Sequence, residues 1–260
     1  MTMLREQIRA SFGGFSGKVL FIILVLIFWS TISAVGFLDS FLFPGPVFVL
    51  YRLDRLVFGG EILPDIASTL LKIGIAFTVG SLSGIAVGIF LSKWDWMYNS
   101  ASPFLDFLRS IPATALFPLF LLIFGAGDPT NTALAMWICA LYLSLHVSKG
   151  LRGTSETSLI VAKSLKKSEI ETLVHVRFKE ALPIIFVGFR TAVSLTIAVV
   201  VVAEMFVGTK NGIGKVLIDA AYVYDIPKLY AGILVIGVIG YLLNFIVAAT
   251  EQRVVHWHGK

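Results

Sequence analysis

Three places in this sequence carry residue types that could do chemistry. "GTKNGIGK", residues 208–215, has the glycines and the lysine of a phosphate-cradling loop, in which backbone N–H groups wrap phosphate oxygens and a Ser or Thr after the lysine reaches magnesium. The spacing fails: five residues rather than four separate Gly208 from Gly214, and Val216 follows Lys215. The stretch reads instead as a glycine-rich external turn that dips back toward a pathway. His256 and His258 flank Trp257 near the end of the chain, but two histidines without a cysteine or carboxylate partner do not make a metal site. Trp257 reads as an interfacial anchor. Glu204, followed by Met205, is the one acid in the apolar run 191–209. An ionised carboxylate at membrane depth costs several kcal/mol unless it is paired or wet. At ~1.5 Å per residue it lies roughly 30 Å along a helix from Pro183, so it is either a pathway or gate residue or an acid at the outer surface. No serine, histidine and acid constellation and no metal-ligand spacing supports catalysis, so the chain is expected to be no enzyme and to bind no cofactor of its own.

The elements that carry these residues are built for lipid. The chain is 57% hydrophobic and 14% charged, against roughly 25% charge in a soluble domain, and its mean hydropathy is +0.89. Cys139 is the only cysteine, which excludes an intramolecular disulfide. Six stretches are long and apolar enough to span as helices, at about 19–38, 66–92, 101–127, 129–148, 183–209 and 229–250. The expected fold is therefore an all-α polytopic membrane protein, one transmembrane domain over 19–250 with a polar loop at 149–182.

With residues 1–18 and 251–260 as cytoplasmic tails, 13 Lys and Arg fall inside and five outside (Arg52, Arg55, Lys210, Lys215 and Lys228). That asymmetry sets the orientation, and the net charge of +5 reads as its signature rather than as nucleic-acid affinity. Lys72, Arg109 and Arg190 lie near span ends, where long side chains reach the headgroups. The first span is too long for a signal peptide's apolar region and reads as an uncleaved anchor. Pro44 and Pro46 precede a short external helix with Leu50, Leu53 and Val57 on one side. Gly80, Gly84 and Gly88 put three side-chain-free positions on one helix face, a close helix contact that is chiefly bundle packing. Pro112 and Pro118 break the third span, whose freed carbonyls need protein or water, so that helix is expected to face the interior.

The loop 149–182 is the longest polar stretch, and from Thr154 onward it repeats apolar residues at helical spacing: Leu159, Ala162, Leu165, then Ile170, Leu173, Val174. An amphipathic helix outside the bilayer needs a partner to cover its apolar face. The order "LRSIPATALFPLFLLIFGAGD", this helical loop, "ALPIIFVGFRTAV", "VVAEMFVGT", "GIG" and "YAGILVIGVIGYLLN" resembles the permease subunit of binding-protein-dependent ABC importers, in the branch that serves nitrate, sulfonates and taurine.

The resemblance implies a coupling helix in the loop, here Glu156, Leu159, Ile160, Ala162, Lys163, Leu165, Lys166 and Lys167, that docks on a separate ATPase. It implies ATP and magnesium on that ATPase, an external solute-binding protein, and a second permease chain, identical or not, in a bacterial-type inner membrane. It also makes Glu204, Met205, Pro112 and Pro118 candidates for the pathway or gate. The family's loop signature of Glu-Ala-Ala, three residues and Gly falls here on Ile160, Val161, Ala162 and Lys166. Only Ala162 matches. The glycine permits the turn that ends the coupling helix, and a lysine in that left-handed conformation costs roughly 1 kcal/mol more. The helix is therefore expected to run past Lys166 or to turn elsewhere, with Glu156 in place of the missing acid. Two other readings fit the residues: a gradient-driven carrier or channel, and a membrane scaffold that has lost coupling.

Overall fold

The computed structural model describes residues 2–36 and 39–256, with side chains from residue 19 onward. Residues 37–38 of the first expected span, together with Trp257, His258 and the rest of the tail, lie outside the described residues. Among the described residues every regular element is a helix. The chain forms two compact units, one made of residues 1–61 and 219–233, the other of residues 62–218 and 234 onward.

In the first unit, α1 (Thr2–Val35) carries the apolar segment Val19–Val35. The connection that follows is fastened back onto it: Trp29 Nε1 donates to the Pro44 carbonyl at 3.1 Å and Ser33 Oγ to that of Phe43 at 3.1 Å. The expected short helix is α2 (Pro46–Phe58), which starts on Pro46, where the missing N–H is harmless. Its covered face differs from expectation. Val49 and Leu56 are buried, Leu53 and Val57 half-buried, and Leu50 is exposed, because spacings of four and three keep 49, 53 and 56 on one side. Arg52 of α2 pairs with Glu61 at 3.4 Å and with Asp225 at 3.3 Å.

The second unit holds α3 (Leu63–Ser92), α4 (Asp95–Ser110), a 3-10 turn at Ala113–Leu116, α5 (Phe117–Phe124), α6 (Asp128–Arg152), α7 (Glu156–Ser164), α8 (Glu169–Thr172), a π turn at Leu173–Arg177 and α9 (Phe178–Phe206). Two further helices, α10 (Ile213–Tyr222) and α11 (Ile226–Val254), each have residues in both units. Helices α3, α6 and α11 and the unbroken stretch Glu169–Phe206, 38 residues long, can each cross a bilayer by length and composition.

The third expected span is a bent pair. The segments Asp95–Ser110 and Ala113–Phe124 meet at 88°. Pro112 makes the break, whereas Pro118 sits in the first turn of α5 and starts that helix rather than interrupting it. The bent segment does not face the interior of its own chain: none of its side chains in α4, the 3-10 turn or α5 is buried. The carbonyls at the break are taken up locally: Leu108 accepts from the Ile111 N–H at 3.3 Å and Pro112 from the Ala115 N–H at 2.9 Å.

The core of this unit is three helices. A Cβ built on Gly80 would stand 2.8 Å from the Met136 carbonyl, on Gly84 2.8 Å from that of Ala140, and on Gly88 2.9 Å from that of Ser144. Positions advance by four on both helices together, so α3 and α6 run parallel with backbones in contact, and the glycines are what permits it. Leu143 and Val147, which also face the α3 glycines, pack together with Leu151 against Ala181 and Ile185 of α9.

Candidate functional site

The polar loop folds around two serine caps. Ser155 has an extended backbone and its Oγ accepts from the Ser158 N–H at 3.2 Å, which starts α7. Ser168 starts α8 through a reciprocal capping box with Glu171: Oγ accepts from the Glu171 N–H at 3.2 Å, and Glu171 Oε2 accepts from the Ser168 N–H at 2.8 Å.

Between them, α7 ends where the family's glycine would stand. Lys166 adopts φ 53°, its N–H donates to the Lys163 carbonyl at 3.0 Å, and the Lys167 N–H reaches back to that of Ala162 at 3.1 Å. This is the Schellman closure, made with a lysine. The expectation that α7 continues past Lys166 or turns elsewhere is thus corrected. The two closing hydrogen bonds satisfy carbonyls that would otherwise be orphaned, and this outweighs the left-handed strain. Lys166→Gly relieves that strain and loses part of the gain to chain entropy, so it should stabilise α7 by about 0.5–1 kcal/mol. Slower amide hydrogen exchange at residues 159–163 is the readout.

The placement of the remaining loop residues follows. Ala162 is 2% exposed and Leu159 half-buried, so these two hold α7 to the protein. Ile160, Val161 and Leu165 are exposed, Leu165 by 67%, and Ile170 and Val174 beyond it are exposed too. Glu156, Lys163, Lys166 and Lys167 all point to the surface. The acid that reaches the start of α7 is Glu180 of α9 instead of Glu156. Its Oε2 accepts from the Ser155 N–H at 2.9 Å and its Oε1 from the Ser158 hydroxyl.

The other cluster surrounds Glu204 at the C-terminal end of α9. Its carboxylate is 1% exposed. It accepts from Lys72 Nζ at 2.9 Å, from Thr69 Oγ1 at 2.9 Å and from the Gly214 N–H at 3.0 Å. Lys72 Nζ also meets Asp128 Oδ1 at 2.8 Å and the Asn211 carbonyl at 2.9 Å. Asp65 accepts from the Gly212 N–H at 2.9 Å. A Cβ on Gly212 would collide with the Glu204 carboxylate, and one on Gly214 with the Val201 carbonyl. Gly212 and Gly214 of "GTKNGIGK" therefore let this loop lie on Glu204.

Lys72 does not reach the headgroups as its place near a span end suggests: the residue is only 4% exposed, and nearby carboxylates supply the solvation that water would have given. Arg190 is likewise taken up by Glu251 at 2.5 Å, and Arg109 by Asp106 at 2.9 Å. Sequence reasoning singled out Glu204 and missed Thr69, Asp65 and Asp128. A signal was present: Asp65, Thr69 and Lys72 recur at spacings of four and three, one polar stripe on an apolar helix. Of the other pathway candidates, Met205 is half-buried beside Glu204, while Pro112 and Pro118 are exposed in the bent segment. The structure does not bring those prolines together with Glu204.

Comparison with known proteins completes the description. Residues 77–256 match the family described as "Binding-protein-dependent transport system inner membrane component". The chain is 27% identical over 251 residues to a Bacillus subtilis (strain 168) protein named as the aliphatic sulfonates transport permease SsuC, covering 96% of this chain and 90% of that one. It is 25% identical to the taurine transport system permease protein TauC of Escherichia coli (strain K12), covering 91% and 87%. It is 28% identical to the nitrate import permease protein NrtB of Synechocystis sp., covering 74% and 69%. Among solved structures, an inward-facing form of the MetNI methionine ABC transporter superposes with a TM-score of 0.62 at 18% identity, over 74% of this chain and 95% of that one. That likeness is one of fold.

Proposed function

This chain belongs to the binding-protein-dependent transport system inner membrane components, and on that premise we propose that it is the pathway-forming permease of an ATP-driven importer for a small sulfonate-, taurine- or nitrate-like anion. In this reading α7 is the coupling helix. It lies on the cytoplasmic side with both chain ends, a separate ATPase grips it, and a solute-binding protein delivers the anion on the opposite face. ATP and magnesium belong to the ATPase. The "GTKNGIGK" loop supports that division of labour, since its glycines lie against Glu204 rather than around an open cradle.

One observation carries the reading: α7 is closed at both ends and anchored by Ala162, yet presents Ile160, Val161 and Leu165 outward. A short, rigid helix with an uncovered apolar face is built to fill a groove. The open faces of α4 and α5 suit a second permease chain, identical or related. The anion class rests on the names borne by three relatives. A gradient-driven carrier would need an ionisable group free to exchange its proton or ion. Glu204 is instead enclosed by Lys72, Thr69 and Gly214.

The test is uptake by proteoliposomes holding the chain, its ATPase and its binding protein. Labelled sulfonate, taurine or nitrate should accumulate only with ATP. Leu165→Glu puts a charge into the proposed groove contact and should reduce ATPase recovery in a pull-down by about tenfold or more. Uptake that continues with a catalytically dead ATPase overturns the proposal.

A further inference from the structure

We propose that Glu180 is a strut that makes α7 act on two spanning helices at once; the inference rests on the reading of α7 as the coupling helix. Covalently, α7 hangs from α6 alone. Arg152 ends α6, Glu156 begins α7, and the Thr154 hydroxyl ties the short link to the Leu151 carbonyl at 3.0 Å. Toward α9 the chain passes through the Lys166 turn, α8 and a π turn. The covalent route to α9 is therefore the longer one, and it passes a change of helix type at the π turn.

Glu180 closes a shorter route. Both its carboxylate oxygens are used at the first turn of α7, Oε2 by the Ser155 N–H at 2.9 Å and Oε1 by the Ser158 hydroxyl. The Ser155 and Ser158 hydroxyls are themselves linked at 2.8 Å. The positive end of the α7 dipole favours the negative charge there. The base of the strut is fixed. Ala181, the next residue, is fully buried against Leu143, Val147 and Leu151 of α6, and a Cβ on Gly150 would stand 3.0 Å from the Ala181 Cβ. A push on α7 therefore enters α6 through the covalent link and α9 through Glu180, at a point where those helices are already locked together. Without the carboxylate, the direct bonds between α7 and the start of α9 are gone, and the same push reaches α9 indirectly, through α6 or along the segment after Lys166.

Glu180 is thus a positioning residue, read by coupling rather than by binding. In the proteoliposome complex, Glu180→Ala should leave ATPase recovery unchanged and lower the solute moved per ATP hydrolysed by about tenfold, a typical coupling free energy. Hydrolysis in that variant should no longer depend on the solute-binding protein. Glu180→Gln, whose amide oxygen still accepts from the Ser155 N–H, should retain most of the wild-type ratio. Ser158→Ala removes one of the two bonds with little risk to folding and should cost about fivefold in the same ratio. An unchanged ratio in Glu180→Ala or in Ser158→Ala overturns the strut, as does a loss that lies entirely in ATPase recovery. Failure of the wild-type chain to recover any ATPase would instead overturn the coupling reading itself.

Discussion

Lys72→Met should destabilise the detergent-solubilised protein by about 3–5 kcal/mol, the cost of leaving a buried carboxylate without its counter-charge. The Glu204 side chain has no exposure to water, and Lys72 Nζ, at 2.9 Å, is its one cationic partner among the described residues. The Thr69 hydroxyl and the Gly214 N–H remain in the variant, but they are neutral donors. The loss should spread to the loop, because Lys72 also holds the Asn211 carbonyl and Asp128. Adding Glu204→Gln removes the charge that was stranded and should recover more than half of the stability, a non-additivity that identifies a coupled pair. Denaturant unfolding of the two single variants and the double variant measures it. If Lys72→Met unfolds at the wild-type midpoint, the ammonium is not the partner that balances Glu204.

Gly84→Leu should cost about 3 kcal/mol or more, at the upper end of overpacking effects. A Cβ at that position would already lie 2.8 Å from a carbonyl and 2.9 Å from the Leu143 Cβ, so the backbones of α3 and α6 must separate before a side chain fits. Separation unseats Gly80 and Gly88 on the same face as well. Gly74 on the same helix is the control: nothing stands within 4 Å of its Cβ position. Gly74→Ala should be neutral or slightly stabilising through helix propensity, by up to about 1 kcal/mol. A thermal melt in one detergent compares the two, and equal melting of Gly84→Leu and wild type would remove the close contact from the account.

The sequence was most informative where one physical rule acted alone. Of the six long apolar runs, four coincide among the described residues with helices that can cross a bilayer and a fifth with the bent pair, because backbone polar groups in lipid must be satisfied within the segment. The spacing of Gly80, Gly84 and Gly88 announced a close approach without naming α6 as the neighbour. It became less informative where two rules competed. At Lys166 the strain of the left-handed turn argued for a longer helix, yet the two carbonyls closed by that turn prevailed. Lys72 obeyed a tertiary rule over a lipid one, since a carboxylate 132 residues away in sequence served it better than headgroups would. Glu180 was invisible for a related reason: its partners are Ser155 and Ser158, 25 and 22 residues earlier, and no local pattern records such a bond. The open face of α4 was misread because a proline break says that carbonyls need partners, and here the tight turn at Ile111–Leu116 supplies them without burying the helix.

The unbroken stretch Glu169–Phe206 sets a length scale for the whole molecule. At ~1.5 Å per residue its 38 residues measure about 57 Å, close to twice a hydrocarbon thickness of about 30 Å. The first 12, with Glu169, Glu171, Arg177, Lys179 and Glu180 among them, are too polar for lipid and so form a pedestal roughly 18 Å tall. Under the proposed coupling role, this pedestal sets the height at which α7 meets the ATPase. A thicker bilayer that drew in one more turn of that rod would have to desolvate Arg177, Lys179 and Glu180, and these charges act as a collar that fixes how deep the rod sits.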